Sequence, residues 1–210
     1  MDKTVLVEAI TPEMKASPDR FYVPQFETSE AVETRIRGRN TADMTLPEWN
    51  WCAICCVRMI LLALGRGAIS REELYEKSFA AGVFRQEGNE VIGAYHKELA
   101  SFIERELGLQ ARPRRGMTTQ EVMKEIARGA FVIASVSAEI RDTHGLLPKK
   151  KGGHFVLIYG FRCSPDHSNQ LIIHNSTGFT STNSQMHVSV DETRFNDCFS
   201  GNAIVVKPYD

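Results

Sequence analysis

The pattern of apolar and polar positions changes once along the chain. Up to about residue 130 apolar residues recur at helical spacing; beyond it they gather into short β-rich runs separated by turn residues. CAICCVRMILLALG, beginning at Cys52, is apolar on nearly every side, which predicts a buried helix with Gly65 just past its end. A second helix is expected from Ser70, with Glu73 three residues on as a capping box, towards Gly82. A third covers about 90–107, where Ile92, Leu99, Phe102, Ile103 and Leu107 share one face and Gly108 closes it. A fourth starts near Thr118–Thr119, carries Val122 and Ile126, and stops at Gly129. The strands that follow are FVIASVS (131–137), HFVLIYGFR (154–162), QLIIHNS (170–176), MHVSV (186–190) and AIVVK (203–207). FYVPQF at 21–26 reads as an extended piece, and the polar run from Glu27 to Pro47 as loop with one short helix. Helices first and strands afterwards predict an α+β fold, with an antiparallel sheet covered on one side by helices.

The 210 residues fit one domain, 1–210, with a helical part at about 50–130 and a sheet part at about 131–210. An apolar share of 42% and a charged share of 24% exclude a disordered or fibrous chain. Lys plus Arg is 25 against 26 for Asp plus Glu, and this balance removes the electrostatic case for a nucleic-acid partner. The short basic runs, RPRR at 112–115 and KKK at 149–151, read as solvated loops. The longest apolar stretch is too short for a membrane span and the N-terminus lacks the apolar segment of a signal peptide, so neither membrane nor export is expected. Five cysteines are too few for a disulfide scaffold, and unpaired thiols suit a reducing cytoplasm.

Three of those thiols cluster: Cys52, Cys55 and Cys56. Cys52 opens the apolar helix, where first-turn N–H groups and the helix dipole favour a thiolate, so its pKa is expected to fall. Cys55 and Cys56 lie a turn deeper and read as small packed hydrophobes. A thiolate nucleophile needs a proton carrier, and His154, opening the strand of GGHFVLIYG behind Gly152 and Gly153, is the histidine placed for that. His96, His144, His167 and His187 read as surface or packing residues. The base needs an orienter, and Asn175, ending the next strand, can lie beside His154 if the two strands pair. Ser176 and Thr177 read as turn residues.

These residues, in this order, resemble papain-like cysteine peptidases, and most closely the bacteriocin-processing (double-glycine) branch with its stand-alone relatives. The helix motif of that branch, roughly C-G-P-A-x-x-x-M-x-L with a later glycine, is met by Cys52, Met59, Leu61 and Gly65. The strand motif falls on Gly153–His154–Phe155–Val156 and Gly160, and the Asn-containing turn on His174–Asn175–Ser176–Thr177–Gly178. The resemblance implies a papain-like α+β fold with Cys52 as nucleophile, His154 as general base and acid, and Asn175 as orienter. It implies no cofactor and no metal. Its substrate would be a peptide or peptide-like acyl compound, free or carrier-bound, attacked at an amide, ester or thioester carbonyl. Release to water makes a hydrolase; release to an amine makes an acyltransferase or cyclase in natural-product biosynthesis. The transporter and nucleotide-binding segments of membrane-bound members are not in this sequence, which suits a free-standing cytoplasmic enzyme.

The sequence departs from the pattern at Ala53 and Ile54, where Gly and Pro are usual, and at Leu46, where the oxyanion Gln is usual. Gln25, in VPQF with residues 27–48 inserted after it, is the favoured substitute, and Asn50 the alternative. Trp51 and Gly153 are candidate substrate contacts, and Trp49 flanks the same cleft. Two rival readings remain: a catalytically inactive binding module, and a zinc protein using Cys52, Cys55, Cys163 and His167.

Overall fold

The computed structural model describes residues 3–25, 50–141, 147–163, 169–177 and 185–209. In chain order the elements are β1 (Lys3–Leu6), α1 (Pro12–Ala16), a 3-10 turn (Pro18–Phe21), α2 (Cys52–Ala63), α3 (Arg71–Ala80), β2 (Phe84–Glu87), β3 (Glu90–Gly93), α4 (His96–Leu107), β4 (Leu109–Arg114), α5 (Thr119–Ala127), β5 (Phe131–Val136), a second 3-10 turn (Ala138–Arg141), β6 (His154–Cys163), β7 (Gln170–His174), β8 (Val188–Asp191), α6 (Glu192–Cys198) and β9 (Phe199–Pro208).

The expected helices form where their caps lie. The Ser70 side chain accepts from the Glu73 N–H, and Thr118 and Glu121 make a reciprocal capping box at α5. α2 ends at Ala63, and Gly65 follows in the left-handed region (φ +71°). The third helix is shorter than expected: its first residues instead form β3, a hairpin with β2 turned at Gly88. β1, β4 and α6 also lie outside the sequence expectations, so strands are not confined to the second half. The 27–47 segment and Trp49 lie outside the described residues.

The main sheet is antiparallel, in the order β4-β9-β5-β6-β7-β8. β1 pairs with the second half of β6, Leu6 opposite Gly160 and Lys3 opposite Cys163, along the edge that β5 leaves. Successive residues of β5 and β6 point to opposite faces, yet all of 131–136 and 154–161 are buried. Both faces of the sheet's centre are therefore covered, rather than one. α2 packs on β6, and α5 packs on β5 and β6. Because α2 is apolar all round, ten of its twelve residues are buried, which makes it the central post of the core. Gly160 explains how β1 fits: a Cβ there would lie 2.6 Å from Leu6 Cδ2 and 2.9 Å from the Val5 carbonyl oxygen. Among the described residues no helix is long and apolar enough to cross a membrane.

Candidate active site

Three local features bring the candidate residues together. Cys52 is the first residue of α2, packed on β6. His154 is the first residue of β6, fed by Gly152 (φ +88°) and Gly153 (φ +95°), conformations that side-chain-bearing residues rarely adopt. Asn175 follows β7, which pairs with β6 from Leu157↔His174 to Arg162↔Gln170. The expected strand pairing thus puts Asn175 beside His154.

His154 Nε2 lies 2.7 Å from Asn175 Oδ1, with both residues buried. An amide oxygen only accepts, so Nε2 carries the proton and the lone pair of the neutral ring sits on Nδ1. The neutral ring can therefore accept a proton only at Nδ1. The Asn175 amide is itself fixed: Nδ2 donates to Gln185 Oε1 at 2.9 Å, and the Asn175 N–H donates to the Gln185 carbonyl at 2.9 Å. Thr177 donates twice to Asn175 Oδ1, from its hydroxyl at 2.9 Å and its N–H at 3.2 Å. Its hydroxyl also lies 3.4 Å from His154 Nε2. Thr177, in the turn, thus also braces Asn175, and Gln185 holds the Asn175 amide with no motif to reveal it.

Cys52 is only 8% exposed, and the backbone N–H of Phe155, one residue beyond His154, is near enough to its thiol to favour the charged form. The net shift of its pKa runs against the sequence expectation. Burial pushes it up and outweighs the N–H groups of Phe155, Ala53 and Cys52 that pull it down. Burial likewise pushes His154 down to about 4, against the Asn175 hydrogen bond that raises it and with Arg141 adding to the fall. Both shifts favour the neutral forms, thiol and imidazole.

Gln25 is buried beside the same turn. Its N–H donates to the Ser176 carbonyl at 2.7 Å, and its Oε1 accepts from the Ser176 hydroxyl at 3.4 Å. Arg71 holds this segment from the other side through the Pro24 and Gln25 carbonyls, at 2.7 and 3.3 Å. His174 anchors it upstream, with Nε2 3.0 Å from the Pro18 carbonyl oxygen while Nδ1 accepts from the His187 N–H. Asn50 is half-buried in the turn before α2. The Trp51 ring is packed under Arg71, 4.5 Å from its guanidinium carbon, and beside Tyr75. Gly153 is exposed at the rim.

The zinc set does not assemble. Cys52 lies against Phe155, whereas Cys163 ends β6 eight residues further on, roughly 25 Å away along a strand. His167 and Gly178 lie outside the described residues. Among the described residues no three of His, Cys, Asp and Glu are grouped to hold a metal ion.

The buried histidines set an acid limit on stability. His174 is pushed down to about 3, chiefly by burial and further by His187, against the Pro18 hydrogen bond. As pH falls below the ordinary 6.5, the unfolded chain takes up protons that the folded chain refuses until about pH 4 for His154 and about pH 3 for His174. Stability is thus present at pH 7 and lost on acidification. Between pH 7 and pH 5 each group removes about 2 kcal/mol. Urea unfolding at the two pH values should show a loss on the order of 4 kcal/mol; equal stabilities would contradict neutral burial of these rings.

The fold recurs in known proteins. A protein described as a C39-like peptidase from Bacillus anthracis superposes with a TM-score of 0.53 at 16% identity, over 77% of this chain and 90% of that one. A double glycine motif protease from an AMS/PCAT transporter, solved in complex with the leader peptide, gives a TM-score of 0.50 at 16% identity, over 77% and 86%. At such identity the likeness shows the fold alone, and that fold is the papain-like α+β arrangement expected from the sequence. No curated protein matches the chain. Residues 28–201 match the family described as Peptidase_C39 like, a span that takes in Cys52, His154 and Asn175 and leaves Gln25 outside. With most of its length matched, the chain belongs to the Peptidase_C39 like family.

Proposed function

We propose that the protein is a cysteine peptidase-like enzyme that works through Cys52, His154 and Asn175. Family membership supports the cysteine-peptidase class, and the observation that carries the triad is the buried 2.7 Å contact between His154 Nε2 and Asn175 Oδ1. That contact leaves Nδ1 as the proton acceptor, one residue before the Phe155 N–H that lies near the thiol. Attack by sulfur on a carbonyl carbon passes the thiol proton to His154 Nδ1. The Cys52 N–H and the Gln25 amide stabilise the oxyanion. Collapse expels the leaving group, which takes the proton from His154 and leaves a thioester on Cys52. Water or an amine, deprotonated by His154, then releases the acyl group as an acid or a new amide. Asn175 keeps the imidazole in the Nε2–H tautomer throughout.

Gln25 is favoured over Asn50 because it is buried and pinned at the Asn175–Ser176 turn. Gly153, exposed next to His154, contacts substrate, whereas packing of Trp51 gives it the role of fixing the helix start. The AMS/PCAT relative in complex with its leader peptide supports a peptide substrate. A cytoplasmic setting, a carrier-bound acyl group and acyl transfer or cyclisation in natural-product biosynthesis extend this reading.

Burial of the thiol favours a second reading, a binding module without turnover. Brief iodoacetamide treatment at pH 7 with peptide mapping separates the two. By exposure alone the half-buried Cys163 should react ahead of the four buried cysteines. Assistance from His154 puts Cys52 first, whereas labelling led by Cys163 favours the binding module.

A further inference from the structure

The basic run at 112–115 is not a solvated loop. It ends the edge strand β4 and forms one wall of a cavity of about 660 Å³, whose other wall is the start of α4 at Tyr95, His96, Lys97 and Glu98. Lys97, Arg114 and Arg115 face a single lining carboxylate, Glu98, and Arg85 sits over the Tyr95 ring, its guanidinium carbon 4.9 Å from the centroid. Arg114 is ion-paired with Glu121 and Glu125 at 3.9 Å, beyond hydrogen-bond distance, so its charge is partly offset while its donors stay open. His96 Nε2 is shielded from solvent and has no hydrogen-bond partner among the described residues. In a chain whose net charge is −1, this is a local concentration of positive potential.

Strand register fixes where the cavity lies relative to the thiol. His154 pairs with Val136, Val136 with Phe199, and Ala203 of the same β9 with Arg114. Ala203 also pairs with Ala134, two residues from Val136, so the base and Arg114 lie three strand spacings across the sheet and two residues along it, about 16 Å apart. The two places also touch through one side chain. The His96 ring packs 5.0 Å from that of Phe155, whose backbone N–H lies near the Cys52 thiol. An extended peptide rises about 3.4 Å per residue, so about five residues span the gap.

We propose that this cavity is a substrate subsite that receives a carboxylate side chain, Asp or Glu, of an extended peptide about five residues from the carbonyl attacked by Cys52. The inference rests on the peptide-directed reading of the site above. The chemistry is direct: guanidinium groups offer paired N–H donors that match the two oxygens of a carboxylate.

The test uses the full chain carrying Cys52→Ala, so that binding is read without turnover. Its probes are two fluorescein-labelled decapeptides of Gly, Ala and Ser, one with two adjacent glutamates and one with glutamines in their place. Fluorescence anisotropy should show at least tenfold tighter binding of the glutamate peptide. Lys97→Glu with Arg115→Glu, both exposed in the folded chain, should remove that preference and leave the circular dichroism spectrum unchanged. Equal binding of the two peptides, or a preference that survives the double reversal, overturns the subsite. Iodoacetamide mapping of Cys52 in the otherwise unaltered chain reports on the thiol chemistry separately, so a failure of the enzyme reading is distinguishable from a failure of the subsite.

Discussion

His154→Ala should lower the rate at which p-nitrophenyl acetate acylates Cys52 at pH 7 by 10²- to 10⁴-fold, the usual weight of a positioned general base. That is about 3–5 kcal/mol of barrier. The effect is large because the thiol is buried and its pKa raised, so little thiolate exists at neutrality without the imidazole. The loss should be chemical rather than structural. Asn175 Oδ1 keeps both Thr177 donors, and its Nδ2 keeps Gln185, so removing the ring leaves no orphaned amide. A pH series makes the distinction. The deficit should shrink as pH rises and hydroxide replaces the base, whereas a deficit constant with pH would point to a damaged fold. Asn175→Ala should cost less, about 10- to 10²-fold, since the ring survives but loses its fixed tautomer.

Gly160→Val should be among the most destabilising single changes in the sheet, by about 3 kcal/mol, with Gly160→Ala somewhat milder. Even the first added carbon meets Leu6 Cδ2 at 2.6 Å and the Val5 carbonyl oxygen at 2.9 Å. The side chain can swing away, but the carbonyl belongs to the paired backbone of β1 and can yield only if the strand lifts from β6. For a chain of this size the expected fall in melting temperature is about 6–12 °C. Combining Gly160→Ala with Leu6→Ala should recover part of the loss, because it removes the side-chain half of the clash and leaves the backbone half. Strictly additive losses would show that the Leu6 contact contributes nothing. Cys52 labelling should be unaffected, since Gly160 lies six residues along β6 from His154.

How far the sequence carried the fold depended on the strength of each local signal. α2 was plain because an unbroken apolar run of that length has to be buried, and the central strands were plain for the same reason. β4 was not, because LQARPR carries three polar side chains and a proline, the composition of a loop. Edge strands tolerate that composition: Pro113 pairs opposite Ile204, with no further strand beyond it among the described residues. β2 and β3 are short, and the polar FRQE segment breaks any apolar period. At the site, Cys52, His154 and Asn175 were legible because each opens or closes an element. Gln185 was not, because it reaches Asn175 only through tertiary folding. The thiol pKa went the opposite way for a related reason. The helix start is visible in sequence, but the burial that outweighs it depends on how β6 and α2 meet.

The most direct measurement is the acyl-enzyme itself. Mixing the protein with p-nitrophenyl acetate at pH 7 should release one equivalent of p-nitrophenol per chain in a burst. Quenching at the end of that burst and mapping by mass spectrometry should place the acetyl group on Cys52 alone. The absence of a burst, or acetyl spread over several thiols with Cys163 leading, would contradict the account.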